Sequence, residues 1–100
     1  MKKLTLLCEP IGSLHELHAA MAGLLDFPDY YGENFDAMFD CLTDICEPTR
    51  LEVRDLKKSG LGAAARVFRQ VVLDADESNP NFRVIFTKTT EVFKDGRQTK

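Results

Sequence analysis

Three short apolar runs, Lys3–Leu7, Leu51–Leu56 and Phe82–Thr87, are separated by long stretches whose apolar residues recur every three or four positions. This spacing constrains the fold more than any other feature. Hairpins join neighbouring strands through a few residues, whereas strands joined through helices must pair in parallel, by crossovers of a fixed hand. The chain has 100 residues, 44% of them apolar, enough for one domain with its own core. The expected class is therefore α/β, a small parallel sheet with helices packed on it.

The helices can be read from their ends. After the Glu9-Pro10-Ile11-Gly12 break, Ser13 and Glu16 have capping-box spacing, and Leu14, Leu17, His18, Met21, Leu24 and Leu25 fall on one face of a first helix that stops before Pro28. Asn34 caps a second helix running to about Cys46, with Phe35, Met38, Leu42 and Ile45 inward and Pro48 closing it. A third helix spans about Leu61 to Ala75 and buries Leu61, Ala64, Ala65, Phe68, Val71 and Val72. Asp74 to Pro80 reads as a polar loop, and residues 88–100 form a charged tail beyond a domain of residues 1–87. Between the first two helices, Phe27-Pro28-Asp29-Tyr30-Tyr31-Gly32-Glu33 reads as a loop exposing three aromatics, more than a mere connector needs.

Charge divides the chain unevenly. Between Leu4 and Thr49 there are nine acidic residues and no Lys or Arg, a charge of −9, while the remainder carries +6. Such a field repels nucleic acid and favours a basic protein partner. On the second helix Asp36, Asp40 and Asp44 lie at i, i+4 and i+8, so their carboxylates share a face and repel one another. A charge run of this kind ordinarily forms a solvated face, and spacing alone leaves both readings open. The three cysteines, Cys8, Cys41 and Cys46, cannot all pair and show no C-x-x-C spacing, which points to a reducing cytoplasm and a packing role. No apolar run has the ~20 residues a membrane span requires, and none resembles a signal peptide.

The segment Tyr30-Tyr31-Gly32-Glu33-Asn34-Phe35-Asp36-Ala37-Met38-Phe39-Asp40-Cys41-Leu42-Thr43 closely resembles the central motif of the barstar family of ribonuclease inhibitors. The resemblance extends more weakly over residues 1–87 through Leu14–His18, Phe27-Pro28-Asp29, Val67-Phe68-Arg69 and the second and third strands. It implies a three-stranded parallel sheet in order 1-2-3. It also implies a cytoplasmic inhibitor, monomeric and bound 1:1, whose second helix and preceding loop plug the cationic active site of a ribonuclease. A ribonuclease cannot discard the cations that hold RNA, so fixed carboxylates are an effective bait. By resemblance Asp40 is the deepest-inserted carboxylate and Asp36 its neighbour, while Tyr30, Gly32, Phe35 and Thr43 match further contact positions. Tyr31, Asn34 and Asp44 complete the expected surface.

Three positions depart from the family pattern. Phe39 stands where a tryptophan is usual, Ile45 where a second tryptophan is found, and Gln70 where the third helix carries a contacting glutamate. The partner is therefore open, a toxin with this chain as its immunity protein being one possibility, and Asp44, Asp74 or Asp76 are substitutes for the lost charge. Other chemistries are weaker. His15 and His18 fall short of a metal-ligand set, and no nucleophile elbow accompanies the cysteines. Paired carboxylates in so short a chain leave little cleft for a sugar, and Gly60-Leu61-Gly62 is too short for a phosphate loop. The expectation is a protein that is not an enzyme and needs no metal or cofactor. The alternative is an interaction module for a basic protein that is not a nuclease.

Overall fold

The computed structural model describes residues 1–89. Strand β1 (Lys2–Leu7) leads into α1 (Leu14–Leu25) and α2 (Phe35–Thr43), then β2 (Thr49–Arg54), a 3-10 turn (Leu56–Lys58), α3 (Ala64–Ser78) and β3 (Phe82–Thr87). The three strands pair in parallel in the order β1-β2-β3, with Lys2 beside Thr49 and Thr49 beside Phe82. The α/β class and the strand order are as expected.

The sheet is two-faced. Leu6, Leu51, Val53, Phe82 and Val84 turn into a core shared with Leu17 and Met21 of α1, Met38 and Leu42 of α2, and Phe68 and Val72 of α3. The other face is open to solvent and mixed: Leu7 and Ile85 are exposed there, and Glu52 accepts from Arg54 Nε and Nη2 at 3.0 and 2.8 Å and from Thr87 Oγ1 at 2.7 Å. Burying side chains such as Met38, Leu42 and Phe68 contributes about 1.5 to 3 kcal/mol each, the main force holding the helices to one face.

The ends of the elements differ from expectation for identifiable reasons. Strand β2 starts at Thr49, whose N–H donates to Asn81 O at 2.8 Å, and ends at Arg54 because Asp55 takes a left-handed φ of 60°. Helix α3 begins at Ala64, since Leu61 to Ala63 form a turn around Gly62 (φ 60°). The expected polar loop from Asp74 is helical through Ser78. Ala75 is buried there, and Asp76 Oδ2 accepts from Val84 N at 2.8 Å, tying the last turns of α3 to β3. Leu14 is 45% exposed and so outside the buried stripe of α1, and Cys46 is exposed rather than packed. Of the apolar positions expected inside α3, Ala64, Ala65 and Val71 are only half-buried.

One glycine pair is forced by closeness. A Cβ on Gly60 would stand 3.0 Å from Gly12 Cα, where Gly60 N donates to Ile11 O at 2.8 Å. The contact fastens the loop before α1 to the turn before α3. Thr89 N and Oγ1 each donate to Asp55 at 2.7 Å. Residues 90–100, most of the expected tail, lie outside the described residues.

Candidate functional site

Helix α2 is set by a cap at each end. Asn34 Oδ1 accepts from Ala37 N at 2.7 Å, and Asn34 Nδ2 donates to Gly32 O at 3.4 Å, fixing the loop to the first turn. At the other end Asn79, which follows α3, donates through Nδ2 to Leu42 O, Thr43 O and Ile45 O at 3.0, 3.3 and 3.0 Å. They are among the last carbonyls of the helix, where intrahelical donors run out, although Leu42 O also accepts from Ile45 N at 3.4 Å. Thr43 Oγ1 donates back to Phe39 O at 3.0 Å and Asp40 O at 3.1 Å. Together these bonds end the helix at Thr43, three residues short of the expected Cys46.

The loop before α2 is anchored from inside. Tyr31 does not project into solvent as expected. Its hydroxyl lies 2.6 Å from His18 Nδ1, and its ring packs on Phe27 with centroids 4.9 Å apart. Phe35 closes on the His18 ring at 5.3 Å. Burial pushes the His18 imidazole below its ordinary pKa and pushes the Tyr31 phenol up, with the nearby Cys41 and Glu33 adding to the second shift. The pair is thus a neutral imidazole facing a protonated phenol, matched for a single hydrogen bond. Glu33 takes a left-handed φ of 53°, and its carboxylate accepts from His15 Nδ1 at 3.0 Å across the surface. Tyr30 alone of the three aromatics is fully outside, 88% exposed.

Between this loop and α2 runs a groove of about 430 Å3. Its aromatic and backbone wall comes from Tyr30, Tyr31 and Gly32, and its helical wall from Asp40, Cys41 and Asp44, with Ile45 at the end. Five of the expected site residues therefore meet around one depression: Tyr30, Tyr31, Gly32, Asp40 and Asp44. The others are distributed around it. Asp36 is exposed in the first turn of α2 but does not line the groove, Phe35, Phe39 and Thr43 are half-buried, and Asn34 serves as the cap. Gln70 is not part of the groove; on α3 its Nε2 donates to Asp74 Oδ1 at 2.8 Å.

The charged contacts among the described residues are Arg54–Glu52 and Arg83–Asp76, beside the His15–Glu33 hydrogen bond, so Asp36, Asp40 and Asp44 have no intramolecular cation partner there. Three carboxylates along a helix with no ion-pair partner among the described residues give a negative field that favours a cationic partner. Among the described residues no group of His, Cys, Asp and Glu is arranged to hold a metal ion, and no helix is long and apolar enough to cross a membrane. The residues that sequence reasoning missed are His18, whose role looked merely apolar, Cys41 in the groove wall, and Asn79, distant in sequence from the helix it caps.

The comparisons agree with this geometry. The Barstar (barnase inhibitor) family profile matches residues 1–87. A protein of Bacillus subtilis (strain 168) named "Putative ribonuclease inhibitor YrdF" is 34% identical over 89 residues, covering 85% of this chain and 98% of that relative. With the profile matching most of its length and the parallel 1-2-3 sheet beneath its acidic helix, this chain belongs to the barstar family.

Proposed function

We propose that this chain is a cytoplasmic inhibitor of a bacterial ribonuclease, itself without catalytic activity or cofactor, acting as a monomer in a 1:1 complex. The observation that carries the reading is the groove that Asp40 and Asp44 line together with Tyr30 and Gly32, with no cation paired to either carboxylate among the described residues. Asp40 and Asp36 would meet the Arg, Lys and His that hold RNA phosphates, and a charge-assisted pair of this kind is roughly twice as strong as a neutral hydrogen bond. Tyr30 offers exposed aromatic area, and Gly32 lets the partner approach the backbone closely. Phe35, Phe39 and Tyr31 support the surface from below more than they contact a partner. Thr43 has its proton engaged within the helix, so toward a partner its oxygen serves as an acceptor.

The loss of a glutamate at Gln70 shifts the negative charge of the surface toward α2. Asp74 is engaged by Gln70, and Asp76 by Arg83 and Val84 N, which leaves Asp44 as the substitute carboxylate within the groove. The cognate ribonuclease would then carry its extra cation opposite the C-terminal end of α2.

The test is cleavage of a fluorogenic RNA by basic bacterial ribonucleases, including barnase and any encoded beside this chain, with the purified protein titrated in. The expected result is stoichiometric loss of cleavage, with an association rate that falls steeply between low and physiological ionic strength because the approach is steered by charge. Capture of a basic protein without inhibition of any ribonuclease would replace this reading with that of a general interaction module.

A further inference from the structure

A larger crevice, of about 830 Å3, lies away from the acidic groove, where the carboxyl ends of β2 and β3 meet the turn before α3. Its apolar floor includes Val53, Leu56 and Phe86, and its rim carries Lys57, Lys58, Arg66, Arg69 and Lys88. Asp55 supplies the one acidic side chain in the lining, and its carboxylate already accepts two bonds from Thr89. Among the described residues none of the five rim cations is in an ion pair.

Two further features suit an anion. The Arg69 guanidinium lies 4.3 Å from the centroid of the Phe86 ring, a stack that restrains the fork and leaves its N–H groups able to bond a phosphate in two places. Helix α3 opens beside the rim with no acidic residue in its first turn and no side chain capping it, so the positive end of its dipole is not offset locally. The crevice volume falls in the range of small-molecule sites, roughly 300 to 1,000 Å3.

From this juxtaposition of cationic rim and apolar floor at the strand ends we infer that the crevice is a binding site for a small phosphorylated ligand with a flat apolar body, a nucleoside monophosphate being the simplest such molecule. The phosphate meets Arg69 and the Lys57–Lys58 turn, and the base covers the floor beside Leu56 and Phe86. The site is independent of the acidic groove and does not rest on the inhibitor reading.

The experiment is a titration of the isotope-labelled full chain with adenosine 5′-monophosphate, followed by backbone amide shifts. Adenosine alone and inorganic phosphate are run at matched ionic strength. Saturable shifts are expected at Lys57 to Ser59, Gly62 to Ala65 and Phe86 to Thr87, with adenosine and phosphate each binding at least about tenfold more weakly, since each supplies only half of the contacts. Arg69→Gln and the double variant Lys57→Gln with Lys58→Gln should each weaken binding about tenfold. The lysines are exposed, so the double variant tests the rim even if loss of the Phe86 stack disturbs the fold. Asp40→Ala should leave the titration unchanged. Absence of saturable shifts, shifts confined to α2, phosphate binding as well as the nucleotide, or rim variants that bind like the parent would each overturn the assignment.

Discussion

Replacing Asp40 with Ala separates a solvated acidic face from an active-site plug, because the two predict opposite balances of stability and binding. In the unbound protein Asp40 stands one turn from Asp36 and one from Asp44, has no intramolecular cation partner among the described residues, and lines the groove. Removing it relieves two like-charge neighbours at about 0.2 to 0.5 kcal/mol each and substitutes the best helix former for a poor one, about 0.5 kcal/mol more. Stability should rise by about 1 kcal/mol, or about 4 to 8 °C in Tm for a domain of this size. In the complex, truncation leaves the enzyme's cations unpaired in a desolvated site and costs about 2 to 5 kcal/mol, roughly 30- to 5,000-fold in Kd. Close charge pairs between barnase and barstar, at about 1.5 to 7 kcal/mol, bracket this range. Asp36→Ala, on the same helix but outside the groove, should lose less, and Asp95→Ala, which lies outside the described residues, should lose nothing measurable. Inhibition titrations and melting curves on the three variants give the answer. A binding loss for Asp40→Ala no larger than for Asp95→Ala would refute the plug even if the melting temperature rose as expected.

The structure supports three further predictions. His18 is held neutral by burial, its pKa below the ordinary 6.5, so as pH falls through 6.5 the unfolded chain takes up a proton the folded chain refuses. Stability should be flat above that pH, decline below it and level off once the lowered folded pKa is passed. Urea midpoints across this range should show the decline in the parent and a flatter profile in His18→Gln, and equal slopes in both would locate the dependence elsewhere. For the thiols, exposed Cys46 should be labelled first by an alkylating reagent. Cys41, pushed up by partial burial and by the adjacent Asp44 and Asp40, should follow, and Cys8, pushed up to about 11 in the core, should react only on unfolding. Because Cys41 lines the groove, an equimolar cognate ribonuclease should protect it, and peptide mapping that finds equal labelling with and without the enzyme would move the interface away from this face. Finally, Asn79→Ala leaves the carbonyls of Leu42, Thr43 and Ile45 without their shared donor and should cost about 2 to 3 kcal/mol in denaturant unfolding. A loss below about 0.5 kcal/mol would mean that water replaces the amide without penalty.

How far the sequence foretold this depended on whether local pattern or distant contact decides a residue's place. β3 matched its expected span, and β1 differed by one residue, because their apolar runs are bounded by polar residues and by turns at Pro80 and Glu9-Pro10. β2 was misplaced by two residues since Thr49 and Arg50 look like loop, and only pairing with Lys2 and Phe82 on either side draws them into the sheet. The acidic stripe and the Asn34 cap were legible from spacing and residue type. Tyr31 was not, because its inward turn depends on His18 thirteen residues earlier, and no local rule separates it from the exposed Tyr30. The C-terminal cap of α2 was hidden for the same reason, as its donor arrives from the far end of α3.

The nine residues of α2 are fewer than the ~12 to 15 an isolated helix needs in water, and its acidic stripe lowers its helical tendency further. Its persistence therefore rests on tertiary structure: Met38 and Leu42 fully buried beneath it, Asn34 at one end and Asn79 at the other. On the proposed function, holding the carboxylates in place before any partner arrives would remove the ordering cost from the binding step, and repulsion within the unbound protein would become affinity in the complex. Asp40 and Asn79 accordingly act on opposite sides of this balance. Loss of Asp40 should stabilise the fold and weaken binding, whereas loss of Asn79 should weaken both, since a frayed α2 presents Asp44 and the end of the groove only part of the time. If Asn79→Ala lowered stability and left inhibition intact at temperatures where the variant stays folded, the carboxylates would be organised by the partner instead, and the rigid helix would matter for the fold alone.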